Sequence, residues 1–424
     1  MIVANSYITS TSLTTSAHIN DNAGYLTPLR VANSYNIPAS TGVNAKVGII
    51  SLSGGFLQSD LDKSMDDLGL PRNTVTFVAS DSASYNWYND PYGGNIENTL
   101  DLYCVAGIAP QANVVIYSGT NSGAGFASAI NRAIAENCDV ITISWGTTES
   151  SYLADFLEPA FASASAKGIT VCVATGDYGS EPIINANIQA IQYPAASSNV
   201  VAVGGTHLNY NPSGNIRITE TVEYNQSWGG SGGGGGVSTF IPVPKYQTGL
   251  TYQQYFKANS TPGPVTTLTH RGIPDIAAAM NPYGFWYNGT IISAGGTSAS
   301  APIMAGMFAR FIALNGGRRP IPNTIHSILY GNLNSYYDIF TGNNATVQYV
   351  NGYAASSNWD PVTGVGVPWG NLVYPMVTSG GTTIKTDTNT WSYIANVQVK
   401  TDTNTWSNVK AVWTKTINGW QQTF

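Results

Sequence analysis

FASAINRAIAENCDVITISW, residues 126–145, holds both halves of the unit from which the chain is built: a helical pattern running into a short apolar stretch rich in Val and Ile. The same kind of apolar run recurs as KVGIISLS at 46–53, NVVIYSG at 113–119 and ITVCVATG at 169–176, with helical patterns between them from Ala45 to Ala309. Strand and helix in alternation indicate βαβ units and a parallel sheet. The strands are nearly continuous in apolar residues rather than alternating, as expected when helices cover both faces. The fold class read from this pattern is α/β, a three-layer sandwich around a mostly parallel sheet.

The 424 residues suffice for one large domain or two medium ones. Charged residues make up only 9% of the chain, while Gly, Ser, Thr, Asn and Tyr are abundant, which suits an extracellular, acidic or virion setting better than cytosol. The net charge of -6 comes without long runs of either sign, so no phosphate-binding face and no nucleic-acid partner is expected. Cys104, Cys138 and Cys172 each sit in apolar stretches and read as core thiols; an odd number at wide spacing argues against a disulfide framework or a zinc site. Residues 1–20 lack the basic start and apolar core of a signal peptide, and no run of about 18 apolar residues is present to span a membrane.

Three local features stand apart. GGSGGGGGVS at 229–238 reads by default as a flexible linker and lacks the GK[ST] ending of a phosphate loop. Beyond Ser379, Lys385, Lys400 and Lys415 are each followed by a Thr and then by Trp391, Trp406 and Trp420, making three short tandem repeats and a small β appendage over 379–424. VANSY occurs twice, from Val3 and from Val31, and carries no function in this reading.

Chemistry concentrates elsewhere. GGTSASAP at 295–302 opens an apolar helix, so Ser298 can expose its hydroxyl where the helix terminus favours developing negative charge; the plain alternative is an N-cap serine. A hydroxyl nucleophile needs a base, and none of His18, His207, His270 and His326 lies in a turn opening a helix. In IENTLDLYCVAGIAP, Glu97 and Asp101 are four residues apart and share one helix face, either as a solvated acidic pair or as a working one. Asp177, in ATGDYGS, follows an apolar strand at the sheet edge where open α/β folds build sites, or else makes an ordinary Asx turn.

The order of these motifs resembles the sedolisin, or serine-carboxyl peptidase, family of the subtilisin-like clan. The shared marks are the E-x-x-x-D pair before Ala109-Pro110, Ser144-Trp145-Gly146, Gly176-Asp177-x-Gly179 and G-T-S-x-S-x-P, joined by LTPLRVANSYNIP at 26–38, GGT at 204–206, the GGGVS run, RGIPDIAA at 271–278 and WDPVTGVGVP at 359–368. They are collinear over residues 25–370, which makes the glycine run family structure rather than a linker and suggests a peptidase domain over 21–378 after an N-terminal extension.

The resemblance implies a subtilisin-like fold and an endopeptidase acting on proteins or peptides. It makes Ser298 the nucleophile, Glu97 the general base, Asp101 its partner, and Asp177 an oxyanion donor that must be protonated, a set suited to acid, where a histidine is already charged. Ser144, Trp145 and Gly146 become the segment that pairs with substrate backbone, and Ser300 is a decoy. The same resemblance implies a calcium site from Asp338 and Asp360 with the carbonyls of Ile339, Ser356 and Asn358, although Ser356 and Asn358 replace expected glycines. The family's long prosegment has about two dozen residues in its place, so the expectation is a mature form or a variant that folds unaided. A histidine-based subtilase and a virion-associated binding protein are the competing readings; the tail, which looks like repeats at the ends of some phage proteins, would attach to a surface or virion component.

Overall fold

The computed structural model describes residues 2–5, 7–10, 18–19, 25–211, 216–225, 231–346 and 351–378, together with short strands between 383 and 422. Two strands come first, β1 (Val3–Ala4) and β2 (Tyr7–Ser10), then α1 (Pro28–Ser34), β3 (Lys46–Ser51), α2 (Gln58–Leu68), β4 (Thr76–Ala79) and α3 (Gly94–Ile108). They are followed by β5 (Asn113–Ser118), α4 (Gly123–Ala135), β6 (Val140–Ile143), β7 (Trp145–Thr148), α5 (Ser151–Ala166), β8 (Thr170–Ala174), β9 (Gln192–Tyr193), β10 (Val201–Asn211) and β11 (Ile216–Val222). The long helix α6 spans Thr297–Leu314.

The main sheet runs β11-β10-β8-β6-β3-β5-β4, and the strand Ile276–Ala279 also pairs with β10. Every pairing in it is parallel except β10 with β11. The expected subtilisin-like sandwich is the fold found. Two cores flank the sheet because successive residues of a strand face opposite ways. Val47 and Ile49 join Leu100, Ile108, Met304 and Met307 of α3 and α6 on one side. Ile50 and Ile141 join Phe126, Ile130, Leu157 and Phe161 of α4 and α5 on the other.

α6 is the one helix among the described residues long and apolar enough to cross a membrane, and it is a core helix, 89% buried over that window. A Cβ on its Gly306 would come within 2.7 Å of the Ile108 Cβ, so the glycine lets α3 and α6 pack closely. Cys104, Cys138 and Cys172 are free and buried, as their apolar settings indicated. Among the described residues of the tail, antiparallel strand pairs set Lys385 opposite Trp391, Lys400 opposite Trp406 and Lys415 opposite Trp420.

Candidate active site

β6 ends at Ile143 and β8 at Ala174, so Ser144 and Asp177 both emerge at the carboxyl edge of the sheet. α6 starts on the far side of the tight turn at Gly296, whose φ of +116° suits glycine. Gly296 is the N-cap, and Ser298 is the second helical residue rather than the cap. A Cβ on Gly296 would meet Asp177 Oδ2 at 2.3 Å and the carbonyl oxygen of Asn5 at 2.5 Å, so the turn is bare where three elements converge.

Glu97 and Asp101 sit one turn apart on α3, both fully buried. No residue of α3 faces solvent, so the pair is not the solvated helix face that spacing alone allowed. Asp101 Oδ1 accepts from the Ser144 hydroxyl at 2.7 Å. Burial pushes the Asp101 carboxyl well up, the charge of Glu97 adds to this, and the Ser144 hydroxyl opposes it.

Asp177 is held through one oxygen. Its Oδ1 accepts from the Thr297 backbone N–H at 2.7 Å and from the Thr297 hydroxyl at 2.9 Å, while Oδ2 has no hydrogen-bond partner among the described residues. Burial raises Asp177 well above the usual carboxylate range; the Thr297 donors resist and Glu97 reinforces the rise. A protonated carboxyl in this setting has Oδ2 as its natural hydroxyl. The Ser298 hydroxyl is likewise buried without a hydrogen-bond partner among the described residues, whereas the Ser300 hydroxyl donates to the Ala278 carbonyl at 2.9 Å.

The glycine run contributes a wall. Gly232 donates to the Asp177 carbonyl at 2.8 Å and Gly234 to the Gly176 carbonyl at 2.7 Å. A Cβ on Gly234 would stand 2.3 Å from the Thr175 oxygen, so backbone lies directly on backbone around Asp177. Glycine here is packing rather than linker, at least over residues 232–236, which are described.

Ser144-Trp145-Gly146 lies beside an extended segment of the protein's own chain. β1 lies antiparallel to β7 with Val3 opposite Gly146 and Ala4 opposite Trp145. Asn5 N–H donates to the Ser144 carbonyl and Ser298 N–H donates to the Asn5 carbonyl, each at 2.9 Å. Sequence reasoning missed three participants: Asn5, the Thr297 side chain and Gln192. Only Thr297 carried a signal, by standing inside the GTSAS motif.

Asp338 and Asp360 also come together. Asp360 Oδ1 accepts from Val362 and Thr363 N–H at 2.8 Å each, Oδ2 accepts from Ser356 N–H at 3.0 Å, and Asp338 Oδ2 accepts from Asn358 N–H at 2.9 Å. Asp338 Oδ1 is buried without a partner among the described residues. Burial lifts Asp360 to about 7, against its three backbone donors, with Asp338 adding to the rise. Asn358 has φ +73°, so it takes the left-handed conformation that a glycine would, which asparagine tolerates better than most residues. Among the described residues no cluster of three or more His, Cys, Asp or Glu side chains is present, so any ion here would need backbone oxygens.

The subtilase family model matches residues 74–332, more than half of the chain. Kumamolisin of Bacillus sp. (strain MN-32) is 32% identical over 354 residues, covering 81% of this chain and 62% of that protein. Sedolisin of Pseudomonas sp. (strain 101) is 32% identical over 359 residues, covering 79% and 57%. The chain thus spans about three-fifths of the length of these curated relatives. The solved structure of Pseudomonas sedolisin, a serine-carboxyl proteinase complexed with two molecules of pseudo-iodotyrostatin, superposes with a TM-score of 0.71 at 26% identity, over 85% of this chain and all of that one. By motif order, fold and these matches, the chain belongs to the subtilase family, within its sedolisin group.

Proposed function

We propose that the chain is an endopeptidase that hydrolyses peptide bonds at acidic pH, with Ser298 as nucleophile, Glu97 as general base, Asp101 as the group that orients and electrically tunes Glu97, and Asp177 as oxyanion donor. One observation carries this reading: a peptide carbonyl, that of Asn5, accepts from Ser298 N–H at 2.9 Å and crowds the same point over Gly296 as Asp177 Oδ2. An oxyanion forming there would meet a backbone N–H and, on a protonated Asp177, an O–H, both fixed before reaction.

In this reading Ser298 Oγ adds to the carbonyl carbon as Glu97 takes its proton. Asp101, held by Ser144, keeps a proton or a charge beside Glu97 according to pH, so the carboxyls titrate as a group. The collapse of the tetrahedral intermediate returns the proton to the leaving amine, and water then hydrolyses the ester. Acidity follows from Asp177, which donates only while protonated and whose burial favours that form. The test is casein hydrolysis between about pH 3 and 8 with Ser298→Ala as control; an optimum above about pH 7 in the wild type would remove the proposed role of Asp177.

The residues at the second carboxylate pair fit a calcium ion. Asp338 Oδ1 and Asp360 would hold it with the carbonyls of Ile339, Ser356 and Asn358, and the left-handed Asn358 keeps the loop tight despite the lost glycine. Its effect would be structural, drawing two mutually repelling carboxylates together. The sparse surface charge supports an extracellular or acidic setting, with proteins or peptides as substrates and the Lys–Trp hairpins of the tail as an attachment module for a surface or virion component.

A further inference from the structure

β7 is the middle strand of a small three-stranded sheet, with β1 on one side and β9 on the other. Gln192, on β9 and 1% exposed, reaches across β7 at Gly146, where a Cβ would strike its Oε1 at 2.4 Å. Beyond Gly146 it meets Asn5 in a double amide pair: Asn5 Nδ2 donates to Gln192 Oε1 at 2.8 Å, and Gln192 Nε2 donates to Asn5 Oδ1 at 3.0 Å. Gln192 Nε2 also donates to the Pro182 carbonyl at 2.6 Å, which fixes the orientation of the Gln192 amide plane and its O and N ends. Gly176 forms another wall, since a Cβ there would sit 2.9 Å from the same amide.

The neighbouring contacts set the register. Ile2 exchanges hydrogen bonds with the Asn121 side chain, Val3 and Ala4 pair with β7, and the Asn5 carbonyl lies on Ser298 N–H. Past this point the chain pairs with another strand, Tyr7 standing opposite Gly295.

Resting on the peptidase reading, we propose that Gln192 makes this enzyme select asparagine immediately before the scissile bond, and that Asn5–Ser6 is a bond it cuts in its own chain. Ser298 Oγ adds to the Asn5 carbonyl carbon, the Asn5–Ser6 C–N bond breaks, and the Ser6 nitrogen receives the proton that left Ser298. Water then cleaves the Asn5 ester, leaving an asparagine carboxylate and restoring the Ser298 hydroxyl. Selection arises because a leucine in place of Asn5 would leave a buried donor and a buried acceptor of Gln192 without partners.

The full chain is incubated at about pH 4 and read by intact mass and amino-terminal sequencing. Residues 1–5 should be lost and Ser6 should become the amino terminus, while Ser298→Ala stays whole. The processed protein is then given peptides Ile-Val-Ala-X-Ser-Tyr. The kcat/KM for X = Asn should exceed that for X = Leu by roughly 10²-fold, and Gln192→Met should shrink the gap to a few-fold. Peptide cleavage with an intact Asn5–Ser6 bond, or equal rates for Asn and Leu, would overturn this inference and leave the peptidase reading standing. Protein that cleaves no peptide across the pH range would overturn both. Should Gln192→Met not fold, the wild-type series decides by itself.

Discussion

Asp177 and Asp275 stand at opposite edges of the same sheet, Asp177 past the carboxyl end of β8 and Asp275 beside the start of β10, where its Oδ2 accepts from Ala202 N–H at 2.8 Å. Both are buried, at 3% and 0% exposure. What faces them differs. Asp275 meets Arg271, itself wholly buried, across 2.6 Å, and the Tyr330 hydroxyl donates to its other oxygen at 2.8 Å. Burial alone would raise Asp275, but the Arg271 charge overrides it and holds the carboxyl well below its ordinary range. Asp177 has hydroxyl and amide donors but no cation, and burial wins. Similar burial therefore yields a carboxylate that resists protonation at one edge and an acid that can keep its proton at the other. The first arrangement holds structure; the second is able to do chemistry.

Changing the proposed reacting groups should have the largest effect. Ser298→Ala and Glu97→Gln are each expected to lower kcat/KM by roughly 10⁴-fold or more, and the double variant little further, because such residues act as a unit. Additive losses in the double variant would separate Glu97 from Ser298. At the other edge, Arg271→Met should leave activity per folded molecule unchanged yet cost about 3–5 kcal/mol in urea unfolding, since it strands a buried carboxylate. Adding Asp275→Leu to it should recover part of that loss, and no recovery would contradict a charge-based origin.

Asp177 distinguishes a donor from a turn residue. Asp177→Ala should reduce kcat by roughly 10²–10³-fold with little change in KM, whereas Asp177→Asn, which offers a permanent N–H at the Oδ2 position, should keep most of it. Equal losses in the two variants would mean that only the Oδ1 contacts to Thr297 matter. The same pair of edges predicts a pH dependence of stability. Asp101 and Asp177 are raised in the folded state, so the stability they govern is full below about pH 4, the unfolded value, and is lost as pH climbs through their folded values. Asp275 runs the other way: its contribution is present above about pH 4 and is lost only as pH falls through its depressed folded value. Melting temperature should therefore decline from about pH 4 toward neutrality, and Asp177→Asn should flatten that decline; an unaltered profile would count against a raised Asp177.

Calcium is expected to give the smallest effect. At neutral pH a hundredfold excess of calcium over its Kd should add about 2.7 kcal/mol of stability, removed by chelator and absent in Asp338→Asn. A melting curve indifferent to both would mark the Asp338–Asp360 pair as a site without its ion.

The sheet was legible because Val47, Ile49, Val114, Ile116 and Ile141 are buried on strands with helices on either side, and nothing local competes with that signal. α3 was legible as a helix but not as a wholly buried one, because its polar residues find partners inside: the Asn98 amide donates to the Ser53 and Gly55 carbonyls and the Thr99 hydroxyl to the Asn95 carbonyl. The candidate acids and serine stand in motifs and could be named. The groove's own occupant could not. Val3 and Ala4 of the first VANSY are strand, while Val31 to Ser34 of the second are helix, with Pro28 in its first turn and Thr27 as its cap. Identical residues take opposite conformations because one copy lies against β7 and the other follows a helix-starting proline. Gln192 had no motif around it at all, and its relation to Asn5 exists only across 187 residues of chain.

The three interior thiols have a practical meaning for anyone studying motion in this molecule. Burial pushes the Cys138 thiol up to about 11 and raises Cys104 and Cys172 as well, and thiolate is the form that reacts with maleimides and iodoacetamides. Buried and held as thiols, all three are poor targets for a solution reagent while the protein is folded. One cysteine introduced at Tyr88, which is 97% exposed on the chain leading to α3, could carry a fluorophore or spin label with the native thiols left in place.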